Sequence, residues 1–125
     1  MPLKDRIQFL STPEQVDGYL RENPRAAIFK AGTCHKTSEM FANVDAELGS
    51  REDFPFAVIR VVEARGASDR VSEITGIAHE SPQLLLFSDG RAVYDRDNWD
   101  ISAESIAEAL EEHFTQAQGS SPREV

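Results

Sequence analysis

Residues 26–41 read Ala-Ala-Ile-Phe-Lys-Ala-Gly-Thr-Cys-His-Lys-Thr-Ser-Glu-Met-Phe. Ala26 to Lys30 form a short apolar run, the pattern of a strand buried in a sheet. The loop Ala31-Gly32-Thr33 follows. A helix is expected to start near Cys34 and to end at Gly49, with Thr37, Phe41, Val44 and Leu48 along one face. A buried strand that runs through a glycine turn into an amphipathic helix is the first half of a βαβ unit.

The flanking sequence extends this unit. Upstream, Thr12 is an N-cap with Pro13 at the first helical position and Gln15 completing a capping box. Val16, Tyr19 and Leu20 give that helix its apolar face, and Asn23-Pro24 ends it. Downstream, Phe56 to Val62 is the clearest strand. Ser68 is expected to cap a short helix that carries Val71 and Ile74 and stops near Gly76. Gln83 to Phe87 is the next strand, and Ser88-Asp89-Gly90 signals a hairpin that returns along Arg91 to Tyr94. Ser102 caps the last helix. Ile101 staples onto Ile106, Leu110 and Phe114 continue the inner face, and Glu104, Glu108, Glu111 and Glu112 lie outside or beside it. The expected architecture is α/β: a thioredoxin-like fold with a mixed sheet of about four strands, helices on both faces and an extra N-terminal helix. One domain, residues 1–115, is expected, with 116–125 as a flexible tail because the apolar pattern stops there.

Composition narrows the function. The chain has 125 residues, 40% of them apolar, enough for a core without covalent staples. One cysteine excludes an intramolecular disulfide and a disulfide-rich scaffold. A net charge of −9 makes duplex nucleic acid and anionic membranes poor partners. No signal-peptide pattern or bilayer-length apolar run is read, so a reducing cytoplasm is the expected compartment.

The chemistry is expected at Cys34. A thiol at a helix N-terminus sees unpaired N–H groups and the positive end of the helix dipole, and both favour the reactive thiolate. His35 and Lys36 stand ready to add positive charge. Where a dithiol motif would place its second cysteine, Thr37 offers a hydroxyl. It can donate to the sulfur but cannot resolve a mixed disulfide, so one-thiol exchange with an external thiol is implied. A free cysteine is also often an inert buried hydrophobe. Its place at a strand-to-helix junction, the carboxyl edge where α/β sheets bind ligands, favours the functional reading.

Ser81-Pro82 precedes a strand that runs beside the cysteine loop in this topology, where the fold carries a cis-proline whose neighbouring backbone pairs with substrate. His79 and Glu80 precede it and are candidates for lining the groove. No ligand spacing supports a metal site from Cys34, His35 and His79. Trp99, beside Asn98 and Asp100, either packs under the final helix, the preferred reading, or covers a bound thiol. Asp45 and Glu47 read as a solvated face, and His113 as a surface residue at a helix C-terminus.

The strand and loop Phe29-Lys30-Ala31-Gly32-Thr33-Cys34, the run His79-Glu80-Ser81-Pro82-Gln83, the Asp89-Gly90 hairpin and the loop ending Asp100-Ile101-Ser102 resemble the monothiol bacilliredoxin family (BrxC or YtxJ type) over about residues 8–115. The His-Glu-Ser-Pro-Gln run is the most specific element. The resemblance implies a monothiol oxidoreductase that removes bacillithiol from protein mixed disulfides. Cys34 matches the reactive cysteine, Thr33 the residue before it and Pro82 the cis-proline. The family motif Thr-Cys-Pro-x-Ser is altered here: His35 replaces proline and Thr37 replaces serine. Thr37 keeps the hydroxyl, whereas His35 alters the surroundings of the thiol.

The expected catalytic residues are Cys34 and Thr37. The expected substrate-binding residues are Thr33, His35, Lys36, His79, Ser81 and Pro82, with Lys36 steering anionic groups. No bound cofactor or metal is expected, and bacillithiol is the co-substrate. The expected partners are bacillithiolated clients, a low-molecular-weight thiol and a resetting reductase. The alternatives are a non-catalytic thioredoxin-like binding or redox-sensing module, a structural protein with an inert Cys34, and a glutaredoxin-like protein using another small thiol.

Overall fold

A computed structural model describes residues 2–114. The elements in chain order are β1 (Gln8–Phe9), α1 (Pro13–Glu22), β2 (Arg25–Ala31), α2 (His35–Leu48), β3 (Phe56–Arg60), α3 (Arg65–Thr75), β4 (Gln83–Ser88), β5 (Arg91–Asp97) and α4 (Ala103–His113), with short 3-10 turns at Leu3–Asp5 and Asn98–Asp100. The sheet has five strands in the order β1-β3-β2-β4-β5. β1 and β2 each run parallel to β3, whereas β4 is antiparallel to β2 and β5 to β4.

The alternation of side chains along β2 sends Ala27 and Phe29 to one face of the sheet and Ala26 and Ile28 to the other. The first face packs under α2 and α4, against Met40, Val44, Leu48, Ile106 and Leu110. The second packs under α1 and α3, against Val16, Tyr19, Leu20, Ala67 and Val71. A central strand buried on both faces reads as one continuous apolar run, which is why Ala26 to Phe29 announces itself in the sequence.

The local signals account for the element ends. Gln15 N–H donates to Thr12 Oγ1 at 3.1 Å and Gln15 Oε1 accepts from the Thr12 N–H, closing the capping box. Asp89 and Gly90 both have positive φ, 52° and 81°, as a two-residue I′ hairpin requires. The Ser102 hydroxyl accepts from Ser105 N–H at 3.1 Å.

Several expectations are corrected. The sheet has a fifth strand, β1, because two residues of parallel pairing carry no periodic signal. β3 stops at Arg60 and not at Val62, since the Arg60 carbonyl accepts from the N–H groups of Glu63 and Ala64 and turns the chain into α3. Helix α3 begins at Arg65, with Ala64 at its N-cap. Ser68 is therefore a buried residue inside α3, and its hydroxyl meets the His79 ring instead of capping a helix. β5 runs on to Asp97 past a bulge opposite Leu86 and Phe87, through charged residues suited to a sheet edge. Asp45 is a partner of the N-terminal segment, accepting from Leu3 N–H at 3.0 Å. Residues 116–125 lie outside the described residues.

The N-terminal segment is bolted down by Arg6. Its guanidinium donates to the carbonyls of Leu48 at 2.6 Å, Phe54 at 2.6 Å and Arg51 at 2.9 Å, at and just beyond the C-terminal end of α2. The Leu48 and Arg51 carbonyls also accept from the N–H groups of Arg51 and Phe54, and a cation is favoured at the C-terminal pole of α2. Arg6→Ala is expected to lower the unfolding free energy by about 2 kcal/mol, with an unchanged denaturant slope in urea titration.

Candidate active site

Cys34 is the N-cap of α2, with extended backbone (φ −82°, ψ 162°), and its side chain is exposed. The Sγ lies 3.9 Å from Thr37 Oγ1. That hydroxyl oxygen accepts from Gly32 N–H at 3.2 Å, which leaves its own proton free to point at the sulfur. The thiol pKa is thereby held below that of an ordinary cysteine. The Thr37 hydroxyl contributes most, followed by the Thr37 N–H, with the Lys36 N–H and charge adding less. Thr37 thus serves both ends of the turn: it fixes the glycine before the cysteine and solvates the sulfur.

The second wall is the loop before β4. The Ser81–Pro82 peptide bond is cis. A Cβ on Gly32 would overlap the Ser81 hydroxyl as it is now oriented, so glycine leaves room for that rotamer between the two loops. The pairing of Lys30 with Gln83 between β2 and β4 fixes this approach. A third segment closes the assembly. Asn98, at φ 52°, donates its N–H to the Pro82 carbonyl at 2.9 Å, and its Oδ1 accepts from Lys36 Nζ at 2.7 Å. Helix α2, the Pro82 strand and the loop before α4 are therefore linked through one asparagine. The only sequence signal for it is that Asn tolerates left-handed backbone.

Comparison with known proteins agrees with this geometry. The monothiol bacilliredoxin BrxC family model matches residues 8–106. The chain belongs to the monothiol bacilliredoxin family. It is similar to a solved protein described as a candidate oxidoreductase with a thioredoxin fold, at 29% identity and a TM-score of 0.78, over 85% of this chain and 95% of the other. It shares its fold with mitochondrial thioredoxin 3 of Saccharomyces cerevisiae (14% identity, TM-score 0.68, 85% and 94% covered). It shares it also with a single-substitution mutant of a Halobacterium salinarum NRC-1 thioredoxin (19% identity, TM-score 0.68, 90% and 93% covered). This bacilliredoxin-family chain is a thiol oxidoreductase with a thioredoxin-like fold.

The residues expected at the site divide into two groups. Cys34, Thr37, Ser81, Pro82 and Lys36 gather at one edge of the sheet, with Thr33 exposed in the loop before the cysteine. His35 turns along α2 instead, its Nε2 2.9 Å from Glu39 Oε2. Lys36 is engaged with Asn98 and lies 5.5 Å from the Trp99 ring centroid. Trp99 is 60% exposed and does not pack under α4; Ile101 takes that buried place. Among the described residues, no group of three or more His, Cys, Asp and Glu is placed to hold a metal ion. No described helix is long and apolar enough to cross a membrane.

His79 faces the other side of the sheet, where sequence reasoning missed its partner. Lys30 is fully buried on β2, and its Nζ donates to Ser68 O at 3.1 Å and lies 3.4 Å from His79 Nδ1 and 3.5 Å from Ser72 Oγ. The Ser68 hydroxyl reaches the same Nδ1 at 3.0 Å. Burial lowers the Lys30 pKa to about 8, with Asp69 opposing at longer range. The His79 pKa is also lowered, by burial first and then by the Lys30 charge. Within the sequence, Lys30 gave one signal: a charge inside an otherwise apolar strand.

Two outcomes follow. Thr37→Val is expected to raise the Cys34 pKa. Iodoacetamide alkylation at pH 7 should then slow several-fold, and its plateau should move to higher pH than in the wild type. Lys30→Met is expected to leave stability at pH 7 unchanged or raise it by on the order of 1 kcal/mol, because a buried charge without an ion-pair partner among the described residues is replaced by an isostere. A lysine whose folded pKa lies below its unfolded value destabilises fully below pH 8 and progressively less as pH rises toward the unfolded value. The wild type should therefore gain stability relative to Lys30→Met between about pH 8 and 10.5, read by urea titration at each pH.

Proposed function

We propose that the protein is a de-bacillithiolating enzyme working through one thiol. The Cys34 thiolate attacks the bacillithiol sulfur of a protein mixed disulfide. The client cysteine leaves as a thiolate and takes up a proton, while bacillithiol remains on Cys34 as a new disulfide. A second thiol, delivered by a small molecule or a reductase, then attacks the bacillithiol sulfur of that disulfide, leaves with bacillithiol as a new disulfide and expels the restored Cys34 thiolate. The observation that carries the reading is an exposed cysteine at a helix N-terminus, solvated by Thr37 and unaccompanied by any second cysteine in the chain. Such a thiol is primed for attack but cannot resolve its own adduct.

The remaining residues take supporting roles. The backbone about Ser81 and Pro82 orients the incoming disulfide, Thr33 and His35 border its approach, and Lys36 braces Asn98 against the Pro82 carbonyl while keeping its charge near the thiol. Trp99, exposed at the rim, is available to cover the small thiol. The family, the lone thiol and its exposure favour this reading over an inert structural cysteine. A reducing cytoplasm containing bacillithiol is the compartment it requires.

The decisive experiment is intact-mass analysis after mixing the protein with a bacillithiolated client. Wild-type protein is expected to gain one bacillithiol as the client loses it, and Cys34→Ser to gain none. Transfer from a glutathionylated client alone would keep the chemistry and change the thiol. Absence of transfer from either client, with Cys34 still alkylatable, would replace the enzyme by a binding or sensing module.

A further inference from the structure

β1 is only two residues long and leaves one face of the sheet partly uncovered. Phe9 pairs with Val58, and Val58 with Phe29. Partners in register share a face, so the three side chains form a row across β1, β3 and β2 on the α2 side. Phe29 and Val58 are buried, but Phe9 remains 46% exposed. Between this row and α2 runs a groove of about 350 Å³. Phe41 walls it from α2, its ring edge-on to that of Phe29 at 5.8 Å. The groove abuts the active turn: Ala31 and Thr37 line it, and the Thr37 hydroxyl lies 3.9 Å from the Cys34 sulfur. It lies on the β3 side of β2, whereas the Ser81–Pro82 edge lies on the β4 side.

The charge on this groove is of one sign. Lys4 and Arg60 line it, and none of its lining residues is acidic. Both cations are exposed, and neither has an ion-pair partner among the described residues. The Arg60 guanidinium lies over the Phe9 ring, 4.2 Å from its centroid, which keeps the charge at the apolar rim. Glu63 shares with Arg60 only a separate, smaller recess beside Leu10 and Ala64. On a chain of net charge −9, two unpaired cations over an apolar floor are a local exception. They complement a ligand with an apolar body and an anionic group beside it.

We infer that this groove is a client subsite: it takes an apolar side chain flanked by an aspartate or glutamate, carried by the protein segment whose mixed disulfide Cys34 attacks. The inference rests on the reaction proposed above. Thr37 and Phe41 are one turn apart on α2, about 6 Å. The groove thus starts beside the sulfur and ends about 10 Å from it, the reach of roughly three residues of extended chain. The client motif is an apolar and acidic pair about three residues from the client cysteine.

The test uses short peptides whose central cysteine is carbamidomethylated and cannot react. At the third and fourth positions on both sides of it they carry Phe and Glu, Phe and Lys, or Ser and Glu. Each is titrated into isotope-labelled full-length protein. The Phe and Glu peptide is expected to shift the amide signals of Phe9, Phe41 and Arg60, and to bind roughly three- to tenfold more tightly than the other two. Lys4→Glu combined with Arg60→Glu should reverse the preference to Phe and Lys, with thermal melting unchanged. In transfer from bacillithiolated forms of the same peptides, KM should follow the same order at equal kcat. Equal binding of all three peptides, or shifts that spare the groove, would overturn the assignment. Groove signals that move with oxidised bacillithiol would overturn it in favour of the small thiol. Signals that move on dilution of the protein alone would overturn it in favour of a second copy, and Overhauser contacts from residues 115–125 to Phe9 in favour of the chain's own terminus. Groove binding of the Phe and Glu peptide without any transfer would keep the peptide site and remove the proposed reaction.

Discussion

The site depends on one close approach, that of Gly32 to Ser81. At this point the chain leaving β2 and the chain entering β4 come close enough that a Cβ on Gly32 would meet the Ser81 hydroxyl. The Gly32 N–H is spent on the Thr37 hydroxyl, and the hydroxyl is in turn aimed at the Cys34 sulfur. A residue larger than glycine would force the Ser81 hydroxyl to rotate away from this contact. The reactivity of the cysteine and the shape of the groove beside it are therefore set by the same few atoms. The helix supplies the field, but the loop contact decides where the sulfur sits in it.

The polar groups around this contact form two tiers on opposite sides of the sheet. On the α2 and α4 side, Lys36, Asn98 and the Pro82 carbonyl make a chain of neutral and charge-assisted hydrogen bonds open to solvent. On the α1 and α3 side, Lys30, Ser68, Ser72 and His79 make a buried one. The outer chain joins elements distant in sequence, and the inner one ties a short loop to a central strand. Between them the segment 78–82 is held from both faces. A buried network of this kind rigidifies only because its members are satisfied, and a lysine without an acid beside it is an arrangement that packing alone would not select.

The molecule also shows how a monothiol protein divides labour with its surroundings. The second sulfur that a dithiol oxidoreductase carries is absent, and Thr37 occupies the place it would take. A hydroxyl stabilises the thiolate as a hydrogen-bond donor but offers no electrons for resolution. With a single sulfur, any mixed disulfide formed on Cys34 needs another thiol to resolve it. Trp99, exposed beside Lys36, is a large apolar side chain near this turn that is left open to solvent.

The order of elements apart from β1, the burial of β2, the caps at Thr12 and Ser102, the Asp89-Gly90 hairpin and the placing of Cys34 and Thr37 at one turn were legible in the sequence. Each is a local matter: period, capping chemistry or left-handed backbone, legible within a few residues. Tertiary structure alone decided that Ser68 sits inside a helix, that Trp99 faces solvent, that Asn98 links three segments and that Lys30 lies beneath His79. Lys30 and His79 are far apart in the chain, and Lys36 and Asn98 farther still. No periodicity connects such pairs. They meet only because the strand order brings β2 beside β4, and a hydroxyl or amide takes whichever donor or acceptor the fold leaves nearest.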